Sequence, residues 1–368
     1  MGDAFEISDE LGPEKVMYLH DPSTGLRAIL VVDNVATGPA IGGTRMAPDV
    51  SLAECARLAR AMTFKNAAAG LPHGGAKAVI FADPRLPTAD KERLIRAYAY
   101  AIREITDYIP GPDMGTDEIA MAWVHDMIGR SVGLPRELGG IPLDEIGATG
   151  YGLAVAIETA QSHGGLPLDG ARIAIQGFGA VGRHAARYLA QRGAVLVAAS
   201  DSRGTLVQED GLDVEALIDW KRRGHPLADF EGGEARDRDA IIDVDCDVWI
   251  PAARPDVIHE GNVDRLKAKV VAEGANIPAT EAAERRLAER GVLVLPDFIV
   301  NAGGVICAAV EYAGGSQREA LSRIEEKVRH NLDEVLTRAK AEGTLPRQAA
   351  VDMARERVCT AMRFRRPW

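Results

Sequence analysis

The sequence predicts a two-domain α/β protein. At 368 residues the chain is long for a single hydrophobic core, so two domains are expected. From Ala171 onward, short β-forming runs alternate with helical runs, which is the pattern of a parallel sheet covered by helices on both faces. A glycine-rich cluster over residues 177–182 separates the first of these strands from the helix that follows it.

The N-terminal half contains one clear strand and several helices. The apolar run over 26–32 is bounded by turn residues and predicts a strand. Ser51 followed by Glu54 is a capping-box signature, which predicts a helix from this point to about residue 69. Two further helices are expected over about 88–106 and from about residue 116.

The C-terminal half is expected to hold a parallel sheet. Its predicted strands are 172–176, 195–199, 247–250, 270–272 and 292–295. The Gly- and Pro-containing segment 139–142 predicts a hinge between the N-terminal and C-terminal halves of the chain. After Gly315, a long helix repeats apolar residues at helical spacing, and this stripe predicts a packing face that returns to the N-terminal domain.

Composition and charge exclude several classes of protein. Apolar residues make up 46% and charged residues 26%, the balance of an ordinary globular protein. The net charge of -11 argues against a general nucleic-acid binder, which needs clustered Lys and Arg. Four cysteines are scattered without metal-ligand or paired spacing, and the sequence contains neither a signal segment nor a long apolar run. A cytoplasmic protein without a metal site and without a membrane partner is expected.

The cluster over residues 177–182 has the spacing of a dinucleotide-binding turn. Gly177 permits a tight turn, Gly179 lets the backbone approach a pyrophosphate, and Gly182 allows close contact between helix and strand. The N-terminus of the following helix adds a positive field. The alternative is that the glycines only form a tight turn. The predicted cofactor-binding residues are Gly177, Phe178, Gly179, Ala180, Val181 and Gly182.

Asp201 ends the next predicted strand and bears on the choice between NAD and NADP. A carboxylate at this point accepts hydrogen bonds from the adenosine ribose. It also repels a 2′-phosphate, so NAD is the predicted cofactor. Arg203, two residues later, could instead pair with such a phosphate, so NADP is disfavoured rather than excluded.

Three ionisable residues in the N-terminal half are candidates for handling a substrate. Lys65 projects from the apolar face of its helix and would need an anion beside it, although a solvated lysine at a helix C-terminus is an equal alternative. Lys77 is predicted to lie in a glycine-rich turn just before a strand-like run, and an ordinary loop lysine is the alternative. Asp113 lies in a stiff turn before a helix, and many such aspartates only cap turns.

Seven motifs resemble those of one enzyme family over nearly the whole chain. The motifs are GPAIGGTRM (38–46), MTFKNA (62–67), GGAK (74–77), GPDMGT (111–116), ATGYG (148–152), EGAN (273–276) and NAGGV (301–305). They resemble the amino acid dehydrogenase superfamily of glutamate, leucine, phenylalanine and valine dehydrogenases. The first 80 residues look like the leucine dehydrogenase branch, whereas several later motifs look like the glutamate branch.

The resemblance implies roles for the candidate residues. Lys77 would be the catalytic lysine that activates water, and Asp113 the partner that transfers protons to and from the amino group. Lys65 and a backbone amide of Gly42 or Gly43 would hold the substrate carboxylate. Thr149, Asn276 and Asn301 would line the nicotinamide and substrate cleft, whereas turn or cap roles are the alternative for the two asparagines. The products would be a 2-oxo acid and ammonia, and the reaction would be reversible.

The resemblance also implies a domain arrangement. The predicted fold is α/β, with an N-terminal α/β substrate domain, a Rossmann-type doubly wound dinucleotide-binding domain, and the active-site cleft between them. Residues 1–140, completed by C-terminal helices over about 320–368, would form the substrate-binding and oligomerisation domain. Residues 141–319 would form the NAD-binding domain. A homo-oligomer is expected.

Two positions predict the kind of amino acid. Glutamate-specific relatives carry a lysine immediately before the Gly-Gly pair and a serine after the NAGGV motif; here these positions are Ile41 and Ala308. Burying a substrate carboxylate there would cost several kcal/mol, whereas an apolar side chain would gain roughly 1.5 to 3 kcal/mol. An apolar L-amino acid of the leucine, valine or phenylalanine type is the predicted substrate. The alternatives are a glutamate dehydrogenase with an atypical side-chain pocket and a dinucleotide-binding protein without catalysis.

Overall fold

The computed structural model describes residues 4–164 and 166–365, which form two compact units. The first unit consists of the residues up to Pro142, of Val305–Ala320 and of the residues from Val351 on. The second consists of Leu143–Gly304 and Leu321–Ala350. Among the described residues, no helix is long and apolar enough to span a bilayer.

The first unit is built on a five-stranded mixed sheet. Its strands are β1 (Lys15–Asp21), β2 (Leu26–Asn34), β3 (Ala40–Met46), β4 (Gly75–Ile80) and β5 (Tyr108–Pro112), in the spatial order β1-β2-β4-β3-β5. The first two pairings are antiparallel, whereas β3 runs parallel to both β4 and β5. The carboxyl ends of three neighbouring strands therefore lie at the same edge of this sheet.

Helices cover both faces of this sheet. They are α1 (Leu52–Ala68), α2 (Thr88–Ala101) and α3 (Glu118–Ile128). Side chains of β2 alternate between the faces: Ile29 and Val31 pack in a cluster with Cys55 of α1, whereas Leu30 packs in a second cluster with Tyr98 of α2. The sheet is thus buried on both sides.

The second unit contains the predicted parallel sheet. Its strands are β6 (Arg172–Gln176), β7 (Val195–Ser200), β8 (Thr205–Val207), β9 (Glu234–Arg236), β10 (Val248–Pro251), β11 (Val270–Ala272) and β12 (Leu293–Leu295). The order is β12-β11-β10-β6-β7-β8-β9, parallel from β12 to β7 and antiparallel beyond it. The predicted α/β class with a Rossmann-like sheet is confirmed.

The helices of the C-terminal half are mostly short. They are α4 (Ala148–Gly164), α5 (Ala180–Ala190), α6 (Val214–Arg222), α7 (Glu281–Glu289), α8 (Asp297–Val300), α9 (Gly303–Tyr312), α10 (Gln317–Glu342) and α11 (Pro346–Arg363). Strand β7 is apolar and buried through almost all its length, as expected for a strand covered on both faces.

The long helix α10 packs differently from the prediction. From Leu321 on it belongs to the second unit, and it contacts α4 through Glu325, which accepts a hydrogen bond of 2.9 Å from the hydroxyl of Tyr151. After Leu321, the chain returns to the first unit only from Val351 on, where Arg357 donates to the carbonyl of Ala68 at 2.7 Å. An apolar stripe predicts that one face of a helix is buried, but it does not predict which element packs against that face.

Candidate active site

Lys77 and Asp113 form the closest ion pair in the first unit's candidate site. Lys77 lies inside β4 and not in a turn, so the predicted loop position is wrong; pairing with β2 on one side and β3 on the other extends the strand to Gly75. Its Nζ is 2.5 Å from Oδ2 of Asp113, which directly follows β5. The Lys77 side chain is only 7% exposed. A buried lysine is therefore held against a carboxylate.

Strand β3 lies between the two strands that carry this pair, and its glycines make room for it. A Cβ atom on Gly43 would lie 3.1 Å from Nζ of Lys77 and 2.9 Å from Cβ of Asp113. A Cβ on Gly42 would lie 1.8 Å from the backbone oxygen of Ala76. The Gly-Gly pair thus permits both the sheet packing and the close approach of the charged groups.

Arg45 is a second cation at Asp113, and the sequence analysis did not single it out. Its Nε donates to Oδ2 of Asp113 at 3.0 Å, and its Nη1 donates to Glu54 of α1 at 2.6 Å. Burial raises the pKa of Asp113, but the charge and hydrogen bond of Lys77 and the charge of Arg45 lower it more, so the pKa lies below its ordinary value. Arg45 stands in the GPAIGGTRM motif, which was the available signal.

Lys65 lies in the last turn of α1 and is half-buried. The next residue, Asn66, donates from its side-chain amide to the carbonyl oxygen of Gly74 at 2.6 Å and, more weakly, to that of Ile41 at 3.4 Å. These bonds tie the end of α1 to the segment before the Gly-Gly pair. The role of Lys65, Gly42 and Gly43 in holding a carboxylate stays a prediction.

The two positions expected to set substrate preference are both buried. Ile41 in β3 is 4% exposed and Ala308 in α9 is 7% exposed. Neither side chain can donate a hydrogen bond or carry a charge. The role of Ile41 and Ala308 in a substrate pocket stays a prediction.

A further residue of α9 organises the first unit and was missed by sequence reasoning. The carboxylate of Glu311, 8% exposed, accepts a backbone hydrogen bond from Leu134 at 3.1 Å and another from Ile141 at 2.8 Å. It therefore fixes the segment that the sequence suggested as a hinge. Nothing local predicts this pairing, because its partners lie far away in sequence.

In the second unit, the glycine cluster has the geometry of a phosphate cradle. Gly177 adopts a φ of +94°, and a Cβ atom there would lie 2.9 Å from the backbone of Ala252. A Cβ on Gly182 would lie 2.1 Å from the carbonyl oxygen of Gly177, whereas space around Gly179 is open. Gly179 is the N-cap residue of α5 and provides no side-chain cap, which leaves the helix N-terminus available to an anion.

The predicted cofactor-binding residues of this cluster differ in whether their backbone amides are already hydrogen-bonded within the protein. The backbone amides of Gly177 and Phe178 both donate to the carbonyl oxygen of Ser200, and the Phe178 side chain is 2% exposed. These two amides are therefore engaged within the protein. Ala180 and Val181 begin α5 beside the open side of the turn, and they remain predicted cofactor contacts.

Asn276 and Asn301 are brought together, although the sequence separates them. The side-chain amide of Asn301 donates to Oδ1 of Asn276 at 3.1 Å. Oδ1 of Asn301 is buried and accepts no hydrogen bond from the described residues. Thr149 lies beside Gly304, three residues after Asn301 in sequence, since a Cβ on Gly304 would lie 3.4 Å from the Thr149 hydroxyl oxygen. An unsatisfied buried acceptor of this kind fits a site that a bound cofactor amide would complete.

Asp201 ends β7 as predicted, but its carboxylate is already in use. Oδ1 accepts from the backbone amides of Arg203 and Gly204 at 2.8 and 3.3 Å. Oδ2 accepts from Nζ of Lys221 at 2.7 Å and from the amide of Leu227 at 3.0 Å. Lys221 and the loop after α6 are thus the protein partners of this carboxylate, and its contact with an adenosine ribose stays a prediction.

Comparison with known proteins identifies the family. Residues 139–366 match the family described as Glutamate/Leucine/Phenylalanine/Valine dehydrogenase, and residues 13–130 match the Glu/Leu/Phe/Val dehydrogenase dimerisation domain. The chain belongs to this dehydrogenase family. It is therefore an NAD(P)-dependent amino acid dehydrogenase, as the resemblance implied. The match to a dimerisation domain agrees with the predicted homo-oligomer.

Individual relatives support the same family over most of the chain. A glutamate dehydrogenase of Aeropyrum pernix is 40% identical over 355 residues, which cover 90% of this chain and 85% of the relative. An NADP(+)-dependent glutamate dehydrogenase of Pyrobaculum calidifontis is 39% identical and covers 91% and 85%. The leucine-bound hetero-hexameric glutamate dehydrogenase of Thermus thermophilus superposes with a TM-score of 0.86 at 31% identity, covering 97% and 91%.

Proposed function

We propose that this protein catalyses the reversible NAD(P)-dependent oxidative deamination of L-glutamate to 2-oxoglutarate and ammonia. The observation that carries the proposal is similarity over 90 to 91% of the chain to relatives named glutamate dehydrogenases, at 39 to 40% identity. These names favour glutamate over the apolar amino acid that Ile41 and Ala308 predict. A cytoplasmic location and a homo-oligomer belong to the same proposal.

The first unit would bind the amino acid and move its protons. Lys77, held 2.5 Å from Asp113 and almost fully buried, would activate the water that attacks the imino carbon. Asp113 would transfer protons to and from the nitrogen, since its lowered pKa keeps it ionised and ready to accept one. Lys65 and the amide of Gly42 or Gly43 would hold the α-carboxylate.

The second unit would bind the dinucleotide, whose nicotinamide ring accepts the hydride from Cα when it is bound. The open turn at Gly179 and the N-terminus of α5 would hold the pyrophosphate. The unsatisfied Oδ1 of Asn301, with Asn276 and Thr149, would face the nicotinamide end.

A second candidate substrate is an apolar L-amino acid, and the buried pair Ile41 and Ala308 favours it. The effective penalty for burying an unpaired carboxylate is several kcal/mol. Under the glutamate proposal, another group of the protein must therefore pair with the side-chain carboxylate. Under the second candidate, the apolar surface of Ile41 contacts the substrate directly.

Side-by-side kinetics with glutamate, leucine, valine and phenylalanine test the proposal. We expect the largest kcat/KM with glutamate. A kcat/KM for any apolar substrate at least tenfold above that for glutamate contradicts the proposal and supports the second candidate.

The variant Ile41→Lys tests whether another cation already pairs with the side-chain carboxylate of glutamate, and Ile41→Leu is the matched control. If another cation already pairs with the carboxylate, the lysine should change glutamate kcat/KM by less than about threefold; if none does, a new ion pair should raise it about tenfold or more.

A further inference from the structure

We propose that Glu311 is a positioning residue for the reaction and that it acts through Asp113. Its carboxylate holds together the two ends of the loop over residues 134–141, and the segment that leads into this loop supports the end of β5, which Asp113 follows. The inference rests on the proposed proton-transfer role of Asp113 and not on which amino acid is the substrate.

The loop over residues 134–141 is closed by one buried side chain. Oε1 of Glu311 accepts from the backbone amide of Leu134 at 3.1 Å, and Oε2 accepts from that of Ile141 at 2.8 Å. All three residues are buried, whereas residues 136–139 at the loop tip are exposed. A buried backbone amide needs an acceptor. Each carboxylate oxygen therefore satisfies one end of the loop.

The residues just before this loop pack against the end of β5. The backbone amide of Val132 donates to the carbonyl of Pro110 at 2.8 Å. A Cβ atom on Gly133 would lie 2.6 Å from Cδ of Pro112, so the two backbones are in close contact. Pro112 is the last residue of β5, and Asp113 follows it directly. A shift of the loop entry therefore displaces Asp113.

The position of Glu311 requires two acceptor atoms at the reach of a glutamate side chain. Glutamine has one acceptor oxygen and an amide group that donates, so one of the two loop amides would lose its partner. Aspartate is one methylene shorter, and its carboxylate could not reach both amides from the same helix position. The same two bonds fix α9, whose Ala308 lies one turn before Glu311 on the same helix face.

Steady-state kinetics of Glu311→Gln and Glu311→Asp at saturating dinucleotide test the inference. We expect kcat to fall roughly tenfold or more in both variants, because a small displacement of a catalytic group can cost up to about 10²-fold. The affinity for NADH should stay within about twofold of wild type, since the residues predicted to hold the cofactor lie in the second unit. If kcat stays within about twofold of wild type in both variants, the inference is overturned.

Two control variants separate positioning from other effects. Glu137→Gln makes the same chemical change at an exposed residue of the same loop, and it should leave kcat unchanged. Ile95→Val shortens a fully buried side chain of α2 in the same unit, which lowers stability without touching the loop. It should also leave kcat unchanged at a temperature at which every variant is folded. A fall in kcat for Ile95→Val as large as that for Glu311→Gln would mean that lost stability explains both, and the inference would be overturned.

Hydrogen exchange gives a readout that does not depend on turnover. In Glu311→Gln we expect faster exchange of backbone amides both in the loop and in the residues around Asp113, and unchanged exchange in α2. Faster exchange confined to the loop, with normal kcat, would mean that Glu311 only stabilises the loop. If both Glu311 variants fail to fold, Gly133→Ala decides, because its Cβ would push on Pro112 from the loop side. This variant should lower kcat, and an unchanged kcat would refute the coupling.

The variant Asp113→Asn, measured in parallel, distinguishes failure of this inference from failure of the proposed chemistry. If Asp113→Asn keeps activity close to wild type, the role of Asp113 fails and the inference fails with it. If Asp113→Asn loses its activity while Glu311→Gln keeps a normal kcat, only the positioning role of Glu311 is refuted.

Discussion

Arg45 and Lys77 contact the same carboxylate oxygen, Oδ2 of Asp113. Lys77 approaches from β4 at 2.5 Å and Arg45 from β3 at 3.0 Å. Arg45 is also bound to Glu54, so its guanidinium is fixed from two sides. The orientation and the charge of the proposed proton-transfer residue therefore depend on an arginine that is not itself a predicted catalytic group.

Replacing Arg45 should shift the pH dependence of the reaction. The pKa of Asp113 is lowered, so the carboxylate contributes stability above the pKa of an unfolded aspartate and loses it as pH falls through the lower folded value. Arg45→Met removes one cause of this lowering. We expect the acid limb of the kcat/KM profile to move to higher pH and kcat/KM at its optimum to fall roughly ten- to hundredfold. Arg57→Gln, an exposed arginine of α1, is the control, and an unmoved acid limb in Arg45→Met would contradict the prediction.

Removing either member of the ion pair should abolish most of the activity. General acid–base catalysis contributes typically 10² to 10⁴-fold, so we expect losses of about this size for Lys77→Met and Asp113→Asn. Titration with NADH should give unchanged affinity in both variants, because the residues predicted to hold the cofactor lie in the second unit. Circular dichroism checks that the variants fold. Activity within tenfold of wild type in either variant would remove that residue from the proposed chemistry.

Sequence patterns over a few residues are sufficient to predict the helices and strands that local interactions and apolar runs determine. The hydroxyl of Ser51 accepts a 3.2 Å bond from the Glu54 amide, as the capping box predicted, and five parallel strands lie where their apolar runs placed them. The glycine and alanine residues before Lys77 carry no strand signal, so the sequence predicts a turn there. Pairing with strands on both sides overrides that local preference.

The interactions that complete the candidate site could not be found from local pattern, because they join residues that are distant in sequence. Arg45 reaches Asp113 across 68 positions, and Lys221 reaches Asp201 across 20. A sequence gives the charge of each residue but not its partner. For Asp201, the apolar run of β7 predicts its place after the strand, but its partners come from a helix and a loop that only the folded structure brings beside it.

The two neighbouring glycines of β3 should respond differently to alanine. A Cβ on Gly42 meets backbone of β4 at 1.8 Å, which must push two strands apart, so Gly42→Ala should destabilise the protein by several kcal/mol. A Cβ on Gly43 meets Lys77 Nζ, the end of a flexible side chain, and Cβ of Asp113. Gly43→Ala should therefore lose more activity than stability. Urea unfolding and initial rates measured on both variants test this; the reverse order of effects would contradict the geometry.

A buried cluster in the second unit supports the segment that carries Asn276 and Asn301. Arg347 contacts three carboxylates, those of Glu273, Glu284 and Asp297, at 2.6, 2.5 and 2.9 Å. Removing the cation of such a cluster leaves three buried carboxyl groups without their shared partner. We expect Arg347→Met to cost about 3 to 5 kcal/mol in the free energy of unfolding, and Arg347→Lys to recover only part of it, because lysine cannot form three fixed contacts. Thermal unfolding gives the measurement.

The same cluster predicts a pH-dependent stability with an unusual sign for acids. Burial raises the pKa of Glu273 and, with it, that of Glu284, more than the charge of Arg347 lowers them. Folding therefore favours the protonated forms, so their contribution is complete below the ordinary glutamate value of 4.5 and is lost as pH rises through the raised values. Glu273→Gln keeps the shape and removes one titrating group. In urea unfolding from pH 5 to pH 8, the stability of this variant relative to wild type should increase with pH, whereas the exposed control Glu281→Gln should show no such trend. A difference between Glu273→Gln and wild type that stays constant over this range would mean that Glu273 is ionised in the folded protein throughout, held by Arg347 against the cost of its burial.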